Sequence, residues 1–411
     1  MKLNACQTSC PEDQQVMSEQ NDLGLSQASN KQQLLVAGFN AHGQLDPSHK
    51  DDLQSFQPLQ ILPEEHDADV FFAGWSQTVL SSKHSPDSNG SRTNLRVLGF
   101  SGKDHGACKN GNTSHRALGL ECGIGDLDGL KAYVEEDGSL YWLSGTTWTT
   151  SVDDDHPKVD QIALAGNGRV ALTFETAPAS TLCHVVEFET LEKATGWYSD
   201  PADKTKHPDK HHMLHGRLRQ LRAAATTFLL LMEDGSVYSW GDPRHQSLGR
   251  PISGEGATGA DSPGIIEALG GLKIDKIACG GWLSAALATE DGALYLWGAA
   301  AGPVYEDAIK CLSEADPGEV VLVDLVSEEG GPAADIDASN VVDVAVGSAH
   351  VAAVTEAGHL YVVGANHTGQ LGLETDGAFS EDWQRVTSLQ NVRRTVCGPR
   401  STFAFGTLLK A

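Results

Sequence analysis

The chain has 411 residues, of which 40% are hydrophobic and 20% are charged, a composition typical of a globular protein with a large core. Its formal net charge of -26 disfavours nucleic acid and anionic membranes as partners, because phosphates are bound mainly through Lys and Arg. We therefore expect no direct contact with nucleic acid or membrane. The acidic charge suits a basic protein partner, or it serves solubility alone.

Eight cysteines are present, and none forms a Cys-x-x-Cys pair, so neither a disulfide framework nor a zinc site is predicted. Cys122, Cys279 and Cys397 occupy one equivalent place in a repeated phrase, where cysteine acts as a small buried hydrophobe. The first residues do not have the pattern of a secretory signal, and no apolar run reaches membrane-spanning length. The sequence therefore predicts a protein of the cytosol or the nucleus.

The chain begins with a polar segment. Residues 1–32 are rich in Gln, Ser and Asn and show no periodicity, which predicts a disordered tail. Order is expected to begin at the segment LLVAGFNAHGQL, residues 34–45. Residues 33–411 are predicted to form a single repeat domain.

A short apolar strand that ends in glycine recurs through this domain. The copies are LLVAG, LRVLG, LYWLSG, VYSWG, LYLWG and LYVVG, which end at Gly38, Gly99, Gly145, Gly241, Gly298 and Gly364. The gap between Gly145 and Gly241 is nearly twice the usual interval, which predicts a degraded seventh copy near LCHVVEFET, residues 182–190. Intervals of roughly 45 to 65 residues are typical of propeller blades.

Each well-preserved unit has the same order of elements. A strand that ends in Cys-Gly or in two small residues is followed by a second strand, a tight Asp-Gly or Ala-Gly turn, and the strand described above. The final piece, VRRTVCGPRSTFAFG, lacks this last strand, and LLVAGFNAHGQL near the start supplies it. The sequence therefore predicts an all-β fold, a seven-bladed β-propeller closed by pairing of its N- and C-terminal strands.

The phrases ACGGWLSAALATEDGALYLWG and LYVVGANHTGQLGL resemble the repeats of the regulator of chromosome condensation family, whose members are seven-bladed propellers. The resemblance covers about residues 33–411. It implies a non-enzymatic interaction scaffold or regulatory subunit, since animal members with a similar order of features are binding partners of a Jumonji-type oxygenase. Two alternatives remain open.

The first alternative is guanine nucleotide exchange on a Ran-like GTPase, the activity of the family's archetype. The archetype has a basic tail, whereas residues 1–32 contain only Lys2 and Lys31 as basic residues, which favours the scaffold. The second alternative is an accessory role in wobble-uridine tRNA or diphthamide modification, as in the fungal α-tubulin suppressors, which are similar in size.

No catalytic constellation, phosphate-binding loop or metal signature is found in the sequence, so no cofactor and no metal are expected. The segments GIGDLDG, residues 123–129, and AGNGR, residues 165–169, are interpreted as turns. The histidine-rich segment KTKHPDKHHMLH is predicted to be a solvated loop, with metal binding through His211 and His215 as the alternative. Trp75 and Trp282 are interpreted as packing residues.

The loops that follow the recurrent glycines carry polar side chains that could form a binding rim, while Gln44 and Gln370 are expected to bond within their own blades. The long acidic insert at 299–340 is the candidate partner-binding segment, and its deletion is expected to remove the partner and leave the fold intact. We expect a monomeric propeller with one or more protein partners. The predicted contact residues are Asn40, His42, Asp242, Arg244, His245, Tyr305, Glu306, Asp307, Asn366 and His367.

Overall fold

The computed structural model describes most of the chain. The described residues are 32–60, 68–87, 90–100, 113–117, 120–145, 147–151, 156–176, 181–299, 308–325, 340–375 and 377–409. Within them, seven antiparallel sheets of four strands each are formed, so the predicted seven-bladed propeller is confirmed. The predicted disordered tail lies outside the described residues, except for Gln32.

Blades 1 to 6 follow one another along the chain, and blade 7 is built from both chain ends. Blade 7 contains β1 (Gln33–Gly38), β2 (Leu53–Pro58), β27 (Leu389–Gly398) and β28 (Ser401–Leu408). Blade 1 contains β3 (Asp69–Ala73), β4 (Gln77–Asp87), β5 (Gly90–Gly99) and β6 (Thr113–Ala117). Blade 2 contains β7 (Leu120–Asp126), β8 (Gly129–Glu135), β9 (Leu140–Ser144) and β10 (Thr147–Thr150). Blade 3 contains β11 (Val159–Leu164), β12 (Val170–Phe174), β13 (Leu182–Phe188) and β14 (Lys210–His215), with helix α1 (Leu191–Ser199) between the last two strands.

Blades 4 to 6 have the same four-stranded plan. Blade 4 contains β15 (Leu218–Ala223), β16 (Thr227–Met232), β17 (Val237–Gly241) and β18 (Gly264–Ile265). Blade 5 contains β19 (Lys276–Gly280), β20 (Trp282–Ala288), β21 (Ala293–Ala299) and β22 (Val321–Leu322), with the short helix α2 (Lys310–Ser313) before β22. Blade 6 contains β23 (Val341–Val346), β24 (His350–Thr355), β25 (Leu360–Ala365) and β26 (Phe379–Arg385). Short 3-10 turns occupy Arg244–Gln246 and Glu267–Leu269.

The hydrophobic core consists of layers between neighbouring blades. The second strands β16 and β24 are buried at every residue, because each lies in a sheet that is covered on both faces by other blades. One layer joins Leu283 and Leu296 of blade 5 to Val344 and Val351 of blade 6. Full burial of such a side chain contributes about 1.5–3 kcal/mol. Each blade is therefore stabilised mainly by its two neighbours.

The predicted closure of the ring is confirmed. β1 pairs along its whole length with β28, with Leu35 opposite Ala404 and Gly38 opposite Ser401. Leu35 is fully buried. Blade 7 thus joins the two ends of the described chain through backbone hydrogen bonds, which leaves no open edge at this joint.

The degraded seventh copy is also confirmed. Residues 182–188 form β13, the third strand of blade 3. The loop that follows in other blades is replaced by α1, whose first turn is capped by the Thr190 hydroxyl, which accepts from the backbone N–H of Lys193. Residues 165–169 turn the chain between the first and second strands of blade 3, as interpreted. In the segment 123–129 only residues 127–128 form the turn, since residues 123–126 belong to β7 and Gly129 begins β8.

The expectation that deletion of 299–340 leaves the fold intact is wrong for residues 308–325, whereas partner binding by this segment stays a prediction. Val321 and Leu322 form β22 and pair with Leu296 and Tyr295. Ile309 and Leu325 are buried in the layer between blades 5 and 6. Deletion of 299–340 would therefore remove a strand and two core side chains. A blade needs a fourth strand, and a strand of two residues is too short to show a periodic pattern in the sequence.

The prediction of a loop for the histidine-rich segment is wrong for residues 210–215. They form β14, the outer strand of blade 3, in register with β13 so that His212 is opposite Val185. The strand alternates between exposed and half-buried residues, as expected when one face of an outer strand packs on its blade. In the described part of the chain, no three His, Cys, Asp or Glu side chains are arranged to hold a metal ion.

Candidate functional site

Two kinds of connection lie at the same end of the propeller. A corner is the turn between the first and second strands of a blade. Leu283 of β20 pairs with Gly280 at the end of β19 and with Gly298 near the end of β21, so each corner lies beside the end of a third strand. The same pairing places Gly364 opposite His350 and Gly241 opposite Thr227. We call the end of the propeller that carries these corners and the loops after the third strands the loop face.

Glycine is required where the loop face is most crowded. Gly298 has φ +99°, and a Cβ atom there would lie 2.0 Å from the carbonyl oxygen of Trp282. Gly281 has φ +56°, and a Cβ atom would lie 1.7 Å from the carbonyl oxygen of Ser348 in the next blade. The repeated glycines therefore hold the loop face together and do not indicate chemistry.

Asn40 and Asn366, two of the predicted contact residues, are buried within their own loops. The Asn40 amide donates to the carbonyl oxygens of Asp46 and His49 at 3.1 and 3.0 Å, and its oxygen accepts from the backbone of Leu45 at 2.9 Å. Asn366 donates to the carbonyl of Gly377 at 3.0 Å. Both side chains thus shape loops and are not available to a partner.

The expected role of Gln44 and Gln370 is confirmed. Gln44 accepts from the backbone of His42 at 3.0 Å and donates to the carbonyl oxygen of Phe39 at 2.8 Å, both in its own loop. It also donates to the carbonyl oxygen of Trp75 in blade 1 at 2.9 Å. Gln370 accepts from the backbone of Thr368 at 3.0 Å. These amides fix the loops from inside, so the exposed residues beside them are held in place.

The other predicted contact residues either lie on the loop face or fall outside the described residues. His42, Arg244 and His367 are exposed on the loop face, and Arg244 forms an ion pair with Asp242. The hydrogen bonds from Arg244 lower the pKa of the Asp242 carboxyl. Tyr305, Glu306 and Asp307 lie outside the described residues.

Two aromatic contacts connect loops to the neighbouring blade. His245, which has φ +69°, packs on Trp282 of blade 5 with ring centroids 4.3 Å apart. Phe39 of blade 7 packs edge-on against Trp75 of blade 1 at 6.1 Å. Trp75 and Trp282 therefore pack as expected, but they do so at the loop face.

Arg400 is a residue of this face that sequence reasoning missed. Its guanidinium lies over the Trp75 ring, 4.6 Å from the centroid. The available signal was its position directly after the Cys-Gly-Pro corner of blade 7, the place that Trp282 occupies in blade 5. Contact with Trp75 could not be read from the sequence, because the two residues are brought together only by closure of the ring.

A central cavity opens on the loop face. It has a volume of about 1190 Å³ and is lined by the corners of all seven blades, and we call it the channel mouth. Blades 4 to 7 contribute mostly small residues to its wall. Blades 1 to 3 contribute larger ones, among them Trp75, Leu127 and Glu192. A second cavity of about 580 Å³ lies along the first strands of blades 1 to 4.

Side chains of the first strands connect successive blades around this channel. In each case a side-chain oxygen accepts from the backbone N–H of the next first strand. The bonds join Gln161 to Leu221 at 2.7 Å, Gln220 to Ile277 at 2.8 Å, and Asp343 to Thr395 at 2.7 Å. Ion pairs of Lys276 with Asp343 and of Arg394 with Asp69 continue the series, so the first strands from blade 3 through blade 7 to blade 1 are linked along the channel wall.

The thiols in the channel region are not poised for nucleophilic chemistry. Burial raises the pKa of the Cys122 thiol to about 11 and those of Cys279 and Cys397 to about 12. A reactive cysteine needs the opposite shift, because the thiolate is the nucleophile. Burial also lowers the pKa of His350 to about 4, so this side chain is neutral at physiological pH, and it contacts the Thr402 hydroxyl at 3.0 Å. These groups therefore pack and bond between blades.

Among the described residues, no helix has the length and apolarity needed to cross a membrane.

Two stretches of the chain, residues 234–287 and 341–370, match the regulator of chromosome condensation (RCC1) repeat. RCC1 domain-containing protein 1 of Mus musculus is 33% identical over 217 residues, which cover 46% of this chain and 55% of that protein. The chain thus spans about half the length of the RCC1 domain-containing relatives it matches. The E3 ubiquitin-protein ligase HERC2 of Homo sapiens is 34% identical over 185 residues, 44% of this chain and 3% of the ligase.

Solved structures share the fold. Prp20p of Saccharomyces cerevisiae superimposes with a TM-score of 0.62 at 15% identity, over 93% of each chain. Human WBSCR16 superimposes with a TM-score of 0.63 at 16% identity, over 92% of this chain and all of that one.

Proposed function

We propose that this chain, which carries repeats of the regulator of chromosome condensation family, is a non-enzymatic scaffold or regulatory subunit that binds a protein partner through its loop face. The observation that carries the proposal is the length of the connections between third and fourth strands, which lie on the loop face, compared with the turns between second and third strands. On the loop face, third and fourth strands are joined by the long connections 39–52, 242–263 and 366–378. At the opposite end, second and third strands are joined by the short turns 136–139, 233–236 and 356–359.

The long loops present exposed side chains on a rigid base. Buried amides such as Asn40 and Gln44 hold each loop from inside, and aromatic contacts such as that of His245 with Trp282 attach loops to the next blade. A preorganised surface loses little conformational entropy when a partner binds. The fold neighbour Prp20p is itself described as binding Gsp1p and histones, and its likeness supports a protein partner for this chain.

Affinity capture from the native cell extract tests the proposal, with retained proteins quantified by mass spectrometry. The loop-face variant combines Arg244→Ala, His245→Ala and His367→Ala. The matched control combines Glu136→Ala, Glu233→Ala and Glu356→Ala, which truncate exposed residues in turns at the opposite end. We expect a partner that the native chain and the control retain in equal amount and that the loop-face variant loses. Equal recovery by all three proteins, or loss only in the control, would overturn the assignment.

A second measurement distinguishes nucleotide exchange activity from a scaffold function. We expect the rate of nucleotide release from a Ran-type GTPase to be unchanged by a stoichiometric amount of this chain. If the native chain accelerates nucleotide release and the loop-face variant does not, the chain is an exchange factor and the scaffold proposal is wrong.

A further inference from the structure

The most exposed apolar side chains that line the channel mouth belong to blades 1 and 2. The Leu127 side chain, at the turn between β7 and β8, is 66% exposed, and Phe100, at the end of β5, is 42% exposed. Trp75 and Leu143 line the same cavity and are half-buried. All four belong to blades 1 and 2. Apolar side chains that open into a cavity of about 1190 Å³ are suited to contact with another molecule.

The charges in the same wall indicate what that molecule carries. Asp126, Asp128 and Glu192 line the mouth, and Lys131 is the one cation among its described lining residues. Lys131 lies 3.3 Å from Asp126 and 3.5 Å from Asp128, while Glu192 is exposed in the first turn of α1. Carboxylates thus exceed cations on the side of blades 2 and 3. The net charge of -26 adds a long-range attraction for cations.

The aromatic wall already accommodates one guanidinium. Arg400 of blade 7 lies over the Trp75 ring of blade 1. This contact shows that the geometry of the mouth permits a cation to pack on its aromatic surface.

We propose that the channel mouth binds a basic peptide segment of a partner protein, in which an apolar or aromatic side chain is flanked by Lys or Arg. The apolar side chain packs against Leu127 and Phe100, and the cations lie over Asp126, Asp128 and Glu192. This inference rests on the proposed function, since it names the chemistry and the place of contact of the partner. A hydrophobic centre rimmed by charge is the usual arrangement of such contacts.

The probe is a short fluorescent peptide in which Arg and Lys flank one Trp, and its binding to the full chain is measured by fluorescence anisotropy at physiological ionic strength. Two peptides serve as comparisons, one with Ser in place of Trp and one with Glu in place of each cation. We expect saturable binding of the probe, weaker binding of the Ser peptide by about tenfold, and no binding of the acidic peptide.

Charge is tested by neutralising the three carboxylates in the variant D126N/D128N/E192Q. The Asp126 carboxylate accepts from the backbone of Asp128 at 2.9 Å, and Asn retains this oxygen. The control E136Q/D137N/D234N changes the net charge equally at the opposite end. There Asp137 accepts from Ser139 and Asp234 from Ser236, each at 2.9 Å. We expect the dissociation constant of the probe to rise about tenfold or more in the mouth variant and less than about threefold in the control.

The apolar contact is tested with Leu127→Ser, and Met213→Ser is its control, because Met213 is 62% exposed on the outer strand β14. Weakening by Leu127→Ser alone supports the site. Equal weakening by the mouth and control charge variants would show a general attraction to an acidic protein and overturn the inference, as would the absence of probe binding. The proposed function is tested separately, by the affinity capture of a native partner with the loop-face variant. The failure of either proposal can therefore be told from the failure of the other.

Discussion

Glu187 of β13 is fully buried between blades 3 and 4, and its carboxylate is bonded on every side. It accepts from Trp240 Nε1 at 2.7 Å, contacts His212 Nε2 at 2.6 Å and forms an ion pair with Arg169. A buried carboxylate is tolerated when its oxygens are paired in this way. Trp240 belongs to β17, so the cluster holds blade 4 against blade 3.

We predict that Glu187→Ala lowers the free energy of unfolding by about 3–5 kcal/mol, because the donors of Arg169, His212 and Trp240 lose their common acceptor. The control is Glu189→Ala, since Glu189 is exposed and pairs only with Lys193, so its loss is expected to cost about 0–1 kcal/mol. Urea unfolding followed by circular dichroism measures both. Equal effects of the two substitutions would contradict a stabilising role for the cluster.

At the scale of the residue, the sequence predicted the hydrogen bonds of side chains whose partners are close along the chain. Gln44 and Gln370 bond within their own loops, and the repeated turn pattern was sufficient to indicate it. Arg400 was missed because its partner Trp75 is in another blade. Glu187 was missed because Arg169 and His212 lie in other segments of blade 3 and Trp240 lies in blade 4. Trp240 is 53 residues from Glu187 in the sequence, and no local pattern marks such a pair.

At the scale of the element, blade 5 shows how an irregular insert completes a regular sheet. β22 consists of two residues, and the chain around it is anchored by Ile309 and Leu325 in the layer between blades 5 and 6. The apolar residues of the insert were visible in the sequence. Their membership of a blade could not be predicted, because it depends on the neighbouring blade that buries them.

We predict that Ile309→Ala lowers the free energy of unfolding by about 2–5 kcal/mol, since Ile309 is 1% exposed and a cavity would remain. Leu322→Ala, thirteen positions further along the same segment, is the control, and we expect a change of about 0.5 kcal/mol or less because that side chain is 60% exposed. Chemical denaturation of both variants measures the difference. A negligible effect of Ile309→Ala would contradict the integration of this segment into the core.

At the scale of the whole molecule, the ring is closed by noncovalent pairing in blade 7. The other six blades each come from one continuous part of the chain, whereas β1 and β28 come from its two ends. Opening blade 7 breaks the ring without disrupting a continuous blade, so we infer that this joint opens before the rest of the propeller.

We predict that Leu35→Asp, which places a charge in the buried strand β1, increases amide hydrogen exchange in β1 and β28 before it affects β20. The control is Gln57→Asp in the neighbouring strand β2, where the side chain is exposed and exchange is expected to be unchanged. Exchange followed by mass spectrometry of peptides measures both. A uniform loss of protection in all blades after Leu35→Asp would contradict a separate joint.

The sequence by itself determined the number of blades, the order of their first three strands and the closure of the ring. These features repeat, and each copy satisfies the same local requirements of burial, turn and positive φ. Only the tertiary structure decided the fourth strands, the buried cluster around Glu187 and the wall of the channel mouth. The fourth strands pair through the backbone with the third strand of their own blade, and a strand as short as β22 leaves no periodic pattern in the sequence. The cluster and the channel wall depend on side chains from different blades, such as Trp75 and Arg400, whose contacts exist only after the blades are arranged in a ring.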